Sequence, residues 1–228
     1  MEPGQTLDHQ PRPSIRAKKK RRDNLIDLAN SHEDWELGFQ DETWWSRYAK
    51  PNLHAWSDGH PLRLVEQDKK KDDKDPKALA CYGLLIPRMN SDGDRDDDML
   101  LRFVDGRPVS EITNQFLEWV CGELWKQGKR VLVMIWDNAS WHISGKVRTW
   151  LHEHNHKVKK EGEGTRILAC RLPTKSPWLN PIEPVWLHAK RRIVEPNGTL
   201  TAAATADRIC AALDCPYEPH LAIAKNEP

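Results

Sequence analysis

The run Val131-Leu-Val-Met-Ile-Trp136, followed directly by Asp137, decides how the chain is expected to fold. Six consecutive apolar residues between two charged ones are typical of a strand that is buried on both faces of a sheet. Upstream of this run, apolar residues recur at helical spacing from Ser110 to about Gln127, which predicts an amphipathic helix. The centre of the chain is therefore expected to be a buried strand preceded by a helix.

Strands and helices alternate on both sides of this centre. The expected elements are strands over residues 35–41, 78–86, 99–104 and 166–172, and helices over residues 145–154 and 184–194. Three early strands that meet in one sheet, followed by alternating helices and strands, predict an α/β fold with a mixed sheet.

Composition divides the 228 residues into three parts. Residues 1–33 are interpreted as a basic, mostly disordered arm, because the run 15–22 is strongly basic and has no periodic apolar face. Residues 34–212 form the folded domain, within which residues 43–77 are rich in Pro, Gly and Asp and are expected to be an insertion or a hairpin. Residues 213–228 are expected to be a C-terminal tail.

Charge, hydropathy and cysteine content exclude several classes of protein. Lys and Arg number 35 against 34 Asp and Glu, so the net charge of +1 does not by itself indicate a partner. No apolar run approaches the ~18 residues of a membrane span, and the N-terminus lacks the apolar core of a secretion signal. Five cysteines without a CxxC pair fit neither a disulfide framework nor a thiolate zinc site. We therefore expect a cytoplasmic protein with no membrane partner.

Three carboxylates occupy positions suited to catalysis. Asp41 ends an alternating strand, Asp137 follows the most apolar strand, and Glu183 lies where a proline-rich loop meets a helix. Strands disfavour Asp, and ligands of α/β sheets bind at the carboxyl ends of strands. The alternatives are that the two aspartates begin turns and that Glu183 forms a capping box with Asn180. Glu42 points to the opposite face from Asp41, so at most one of these two is expected in the site.

The order of these acids along the chain points to a metal-dependent reaction. One carboxylate on the first strand, one after the central strand and one on a late helix can together hold two Mg²⁺ or Mn²⁺ ions. Two such ions, roughly 4 Å apart, stabilise the attacking and leaving oxygens of a phosphodiester during in-line displacement.

Three segments contain these acids: Phe39-Gln-Asp-Glu-Thr-Trp-Trp45, Trp136-Asp-Asn-Ala-Ser-Trp-His142 and Leu172-Pro-Thr-Lys-Ser-Pro-Trp-Leu-Asn-Pro-Ile-Glu183. They resemble the signature blocks of bacterial insertion-sequence transposases in the mariner-like DDE superfamily. The resemblance implies a ribonuclease H-like mixed sheet flanked by helices, whose metal-binding catalytic triad is Asp41, Asp137 and Glu183. It also implies cleavage of double-stranded DNA at element ends, transfer of the freed 3′-hydroxyl into target DNA, and a homodimer.

Two features depart from the pattern of that family. The gap between Asp137 and Glu183 is longer than is usual, and the excess is expected within residues 152–165. Such transposases usually carry helix-turn-helix modules before the catalytic domain, whereas only a short basic arm precedes the first strand here. The resemblance therefore implies a catalytic half, which is either the product of a second reading frame, with a DNA-binding half encoded in an upstream frame, or the product of a truncated gene.

Basic residues around the third segment are candidate DNA contacts, because Lys and Arg supply sequence-independent affinity for phosphates. The candidates are Lys175, Lys190, Arg191 and Arg192, together with His142, for which a place in the core is the alternative. A transposase of this kind would be associated with the nucleoid when bound to DNA.

Two other functions are compatible with the same residues. One is a stand-alone ribonuclease H-like nuclease that hydrolyses DNA without joining it to a target. The other is an inactive or co-opted transposase fragment that only binds DNA or a partner protein.

Overall fold

The computed structural model describes residues 15–48, 55–57, 60–62, 71–173, 176–193 and 199–223. The strands are β1 (Trp35–Ser46), β2 (Ala55–Ser57), β3 (His60–Leu62), β4 (Ala78–Ile86), β5 (Asp98–Asp105), β6 (Val131–Trp136), β7 (Arg166–Arg171) and β8 (Leu221–Ala222). The helices are α1 (Ile15–Asn30), α2 (Ser110–Lys126), α3 (Gly145–Glu161), α4 (Ile182–Ile193) and α5 (Ala202–Ala212), with a 3₁₀ turn at Pro177–Leu179. None of the helices within these ranges is long and apolar enough to cross a membrane.

Six strands form one mixed sheet in the order β7-β6-β1-β4-β5-β8. The first strand lies near the middle, parallel to β6 and antiparallel to β4. Strands β6 and β7 are parallel, and so are β5 and β8, whereas β4 and β5 are antiparallel. The predicted α/β fold, a mixed sheet flanked by helices, is confirmed.

Helices cover both faces of this sheet, so the domain has two hydrophobic cores. Along β1 the side chains of Leu37, Phe39 and Trp45 face α1, α4 and α5. The opposite face of the sheet packs against α2 and α3. Every residue of β6 is buried, and its side chains alternate between the two cores, as predicted for a strand covered on both faces.

Three helices differ in detail from the prediction. Helix α2 occupies nearly the predicted range, whereas α3 is longer and absorbs much of the expected insertion over residues 152–165. Ser144 caps its N-terminus, where the serine side chain accepts a hydrogen bond from the Val147 amide, and Gly162 caps its C-terminus in the left-handed conformation. Helix α4 begins at Ile182, two residues before the predicted start at Pro184. The proline is tolerated there because the N–H groups of the first helical turn have no hydrogen-bond partner within the helix.

The expectation of a mostly disordered arm over residues 1–33 is wrong for residues 15–30, which form α1. Leu25, Ile26 and the buried Ala29 pack into the core beneath β1, and this packing stabilises a helix that the basic run alone would not form. Arg22 also donates a hydrogen bond to the Leu179 carbonyl, 3.3 Å away, so that α1 supports the loop before α4.

Two other segments differ from the expected domain organisation. Strand β1 continues to Ser46, so the predicted insertion over residues 43–77 begins within the sheet, and it contains the antiparallel pair β2–β3. The segment expected to be a C-terminal tail contributes β8, because the apolar Leu221 is buried against the edge strand β5.

Candidate active site

The register of β1 and β6 places Asp41 and Asp137 level with each other at one end of the paired strands. These parallel strands pair from Trp35↔Val131 to Phe39↔Ile135. Asp41 and Asp137 each lie two residues beyond that last pair, at the carboxyl end of the ladder. Asp41 does not end its strand as predicted, because β1 continues to Ser46 in pairing with β4 on its other side. The acid therefore lies where β6 leaves the sheet and one edge of β1 opens.

Asp41 is held by a tryptophan of α4. The indole Nε1 of Trp186 donates a hydrogen bond of 3.0 Å to Oδ2 of Asp41. Gly83, the partner of Asp41 on β4, makes room for this ring, since a Cβ at that position would lie 2.4 Å from Cη2 of Trp186. The glycine therefore allows α4 to approach the strand that carries the acid.

The pKa of Asp41 is raised from 3.8 to about 7. Burial is the largest cause, and the negative charges of Glu42 and Glu183 add to it, while the hydrogen bond from Trp186 lowers the pKa. Close to neutral pH this carboxyl group is therefore only partly ionised, and a nearby cation would favour its charged form.

Asp137 is half exposed, and its hydrogen bonds favour the carboxylate. Oδ1 accepts from the amide of Ala139 and from Nδ1 of His142, both at 2.8 Å. Burial alone would raise the pKa of Asp137, but these hydrogen bonds and the charge of His142 outweigh it and lower the pKa. Asp137 thus presents an ionised carboxylate, whose oxygens could bind a cation, at the mouth of the cavity.

His142 is fully buried and lies between two carboxylates. Its Nδ1 donates to Asp137 and its Nε2 donates to Oε1 of Glu42, 2.7 Å away. Burial lowers the pKa of His142, but the Glu42 charge and the hydrogen bonds raise it more, to about 9. The prediction that His142 contacts DNA is wrong, because its side chain has no exposed surface. His142 is instead a buried histidine that contacts the site through Asp137.

Glu42 borders the same cavity as Asp41, although strand alternation predicts that only one of the two reaches the site. The cavity has a volume of about 380 Å³, and its lining residues are Asp41, Glu42, Trp44, Arg107, Pro108, Asp137, Ala139 and Trp141. Adjacent residues of a strand do point to opposite faces, but the sheet is open beside β1 here, so both faces reach one space. No local signal in the sequence indicates this role of Glu42, because its partner His142 lies 100 positions away.

Glu183 lies in the first turn of α4 and is exposed. Its charge contributes to the raised pKa of Asp41, although Glu183 does not line the cavity. The loop before it is tied to β1, because Nδ2 of Asn180 donates to the carbonyl of Gln40 over 3.2 Å. Oδ1 of Asn180 is buried without a partner in the described part of the chain, so the capping box with Glu183 is not formed.

These side chains suit a hard divalent cation in chemistry, although they do not yet enclose one. Among the described residues, no three His, Cys, Asp or Glu side chains lie close enough together to hold a metal ion. Carboxylate oxygens are nevertheless the donors that Mg²⁺ and Mn²⁺ prefer. The like charges that raise the pKa of Asp41 are also those that a cation would neutralise. The carboxylates of Asp41 and Asp137, which border one cavity, thus have the donor chemistry that such an ion prefers, whereas Glu183 lies outside the cavity lining.

The predicted basic contacts divide into two groups. Nζ of Lys190 donates to Oγ1 of Thr43 over 2.6 Å and lies 5.6 Å from the ring centre of Trp45, so this amine packs against β1. Arg191 and Arg192 are exposed in the last turn of α4. Lys175 lies outside the described residues.

Comparison with known proteins assigns the central part of the chain to a family. Residues 93–201 match the family described as DDE superfamily endonuclease, and this segment includes Asp137 and Glu183. No match was found among curated proteins.

Solved structures of Mos1 transposase are similar to this chain in fold. The paired-end complex with the left transposon end has a TM-score of 0.45 and 14% identity, covering 84% of this chain and 52% of that chain. The Mos1 strand transfer complex has a TM-score of 0.47 and 14% identity, covering 91% and 56%. The catalytic domain of Mos1 mariner transposase has a TM-score of 0.44 and 14% identity, covering 91% and 82%. This chain thus spans little more than half the length of the first two proteins.

The family match agrees with the resemblance seen in the three sequence segments, and it covers the central strand, Asp137 and the helix that carries Glu183. Residues 93–201 are therefore similar to the DDE superfamily endonuclease family.

Proposed function

We propose that this chain is the catalytic domain of a transposase that cleaves DNA phosphodiesters at element ends and joins the freed 3′ ends to target DNA, with Mg²⁺ or Mn²⁺ as cofactor. One observation supports this most directly: Asp41 and Asp137 border one cavity at the carboxyl end of the β1–β6 ladder. The charge of Glu183 reaches Asp41 from α4, which supports its place as the third acid.

In this proposal Asp41, Asp137 and Glu183 would hold the metal ions. Bound ions of this kind activate a water or a 3′-hydroxyl and stabilise the leaving oxygen. The protein orients the donors: Trp186 directs Oδ2 of Asp41, and His142 holds Oδ1 of Asp137. Asp41 gives up its proton when the site is loaded, because only the carboxylate binds a cation well.

The surface around the cavity suits a DNA strand. Arg107 lines the cavity and also an adjacent open groove of about 630 Å³, and Trp141 is common to both. Trp44 lines the cavity with 49% of its surface exposed, which would allow a nucleotide base to stack on it. Arg191 and Arg192 would add phosphate contacts from the end of α4, and Lys175 from the loop before it.

The wider assembly follows from the same proposal. A transposase must hold two element ends, so a homodimer is the expected active form. The protein would be associated with the nucleoid while bound to DNA.

Strand cleavage tests the catalytic assignment. The purified chain is incubated with supercoiled plasmid and Mn²⁺ beside two variants, Asp137→Ala and Glu118→Ala. Glu118 is an exposed acid of α2 and serves as the matched control. We expect nicking by the wild type and by Glu118→Ala, and at least a hundredfold loss in Asp137→Ala. Equal nicking by Asp137→Ala would show that the assignment is wrong.

Joining separates the alternatives. A labelled oligonucleotide with a free 3′-hydroxyl is added to the same reaction, and its covalent transfer to the plasmid is followed on a denaturing gel. Cleavage together with transfer supports a transposase. Cleavage without transfer favours a stand-alone nuclease, and DNA binding without either reaction favours an inactive fragment.

A further inference from the structure

A buried hydrogen-bonded chain links Asp137 to a carboxylate outside the predicted triad. It runs from Oδ1 of Asp137 to Nδ1 of His142 over 2.8 Å, and from Nε2 of His142 to Oε1 of Glu42 over 2.7 Å. Only the outer end of this series of hydrogen bonds is exposed: the side chain of Asp137 is 52% exposed, whereas that of His142 is 0% and that of Glu42 6% exposed. Of these three groups, Asp137 alone therefore presents a substantial surface to the cavity.

Both inner groups of this chain are fixed by further contacts. Nε2 of Gln40 donates a second hydrogen bond of 3.0 Å to the same Oε1 atom of Glu42. The ring of Trp136 stacks on His142 with centres 4.5 Å apart and an angle of 18° between the planes. Glu42 is thus held from its own strand, and the imidazole is held by the last residue of β6.

The chemistry of these side chains decides which atoms donate each hydrogen bond and which accept it. Carboxylate oxygens accept hydrogen bonds, so both ring nitrogens of His142 donate, one to each acid. The hydrogen bonds that Asp137 accepts from His142 and Ala139 both end on Oδ1, which fixes the rotation of this carboxylate at the cavity mouth. Metal-binding side chains are commonly oriented in this way by hydrogen bonds from a surrounding layer of residues.

We propose that His142 and Glu42 are positioning residues that hold Asp137 in its metal-binding orientation, and that Glu42 is not itself a ligand. This inference rests on the proposed function, since it assigns a task to two residues around the same metal site. It predicts that removing either hydrogen bond, from His142 to Asp137 or from His142 to Glu42, weakens metal binding even where the fold is intact.

Direct measurement of Mn²⁺ binding in the absence of DNA tests the inference. Mn²⁺ is titrated into the wild type, Glu42→Ala, Glu42→Gln and His142→Ala, and free Mn²⁺ is followed by electron paramagnetic resonance. We expect Glu42→Ala and His142→Ala to weaken binding about 10- to 100-fold. Glu42→Gln should stay within a few-fold of the wild type, because its amide can donate to Nε2 of a neutral imidazole that still donates to Asp137.

A second buried acid of β1 provides the matched control. Glu36 lies on the same face of the strand, is 5% exposed and pairs with both terminal nitrogens of Arg88 at 2.8 Å. Glu36→Ala should lower the melting temperature and leave Mn²⁺ binding unchanged. A purely structural role for Glu42 would give this same pattern in Glu42→Ala, and that result would overturn the inference.

The remaining outcomes are distinct. If Glu42→Gln binds Mn²⁺ as weakly as Glu42→Ala, Glu42 is a ligand and the inference is wrong. If His142→Ala does not fold, as judged by circular dichroism, the two Glu42 variants still decide the question. If the wild type binds no Mn²⁺, the proposed function fails and the inference fails with it. If Asp137→Ala abolishes binding while Glu42→Ala does not weaken it, the inference alone fails.

Discussion

In the absence of a cation, the buried carboxylate of Asp41 lowers the free energy of unfolding. Its carboxyl has a pKa of about 7 in the folded chain, against an ordinary value of 3.8. Between these two values the folded state holds a proton that the unfolded state has released. The free energy of unfolding therefore falls as the pH rises from about 4 to 7, and the full cost is present above pH 7.

Asp41→Asn should therefore stabilise the metal-free protein at pH 8. Asparagine keeps an oxygen that can accept from Trp186 and removes the buried charge. We expect a gain of about 2 kcal/mol, or roughly 4–8 °C in melting temperature. At pH 4 the two proteins should differ little. Thermal unfolding at both pH values in chelator measures this, and a variant that melts no higher than the wild type at pH 8 would contradict it.

The contact between α4 and β4 depends on the absence of a side chain at Gly83. Gly83→Ala would place a Cβ 2.4 Å from Trp186 and push the indole away from Asp41. We expect destabilisation of about 1–3 kcal/mol, as is usual for overpacking, and reduced nicking in the plasmid assay. Gly122 is the control, because it is exposed in α2 and an added methyl group would meet no atom within 4 Å. Gly122→Ala should raise stability by up to about 1 kcal/mol and leave nicking unchanged.

Helix α1 belongs to the folded domain. Ile26 is half buried in the core beneath β1, whereas Lys19 on the same helix is exposed. Ile26→Ala should cost about 1 kcal/mol of stability, and Lys19→Ala should have no effect on it. Urea unfolding followed by circular dichroism measures both. If the two variants unfold at the same urea concentration as the wild type, residues 15–30 do not contribute to the stability of the domain.

The molecule as a whole is almost neutral, with a net charge of +1, so the proposed affinity for DNA would have to come from local charge. Arg191 and Arg192 are exposed on α4, and Lys157 and Lys159 are exposed on α3, on the opposite face of the sheet. Replacing both arginines by alanine should weaken plasmid binding and reduce the slope of log K against log salt by about 2. The double lysine variant should change neither. Filter binding over a range of salt concentrations measures the slope, and equal slopes for both double variants would contradict the assignment.

The central parts of this architecture could be predicted because their signals are local. Six apolar residues specify β6, and helical spacing specifies α2. Helix α1 could not be predicted, because its few apolar residues form a helix only once they pack on the sheet. The link between Glu42 and His142 joins residues 100 positions apart, and no local pattern reports such a contact. Strand alternation does set Glu42 on the opposite face from Asp41, but the opening of the sheet beside β1 is a property of the whole fold.

The burial of Asp41 against Trp186 also bears on how copies of this gene would change after selection on activity ends. A single nucleotide change converts Asp to Asn, and the product is expected to fold at least as well as its parent. Mutations that improve stability at the expense of function are common at active sites. Drifting copies should therefore lose Asp41 early while they still express a folded protein. If the chain is a transposase as proposed, the identity of this one residue among such copies would be a better record of recent mobility than an intact reading frame.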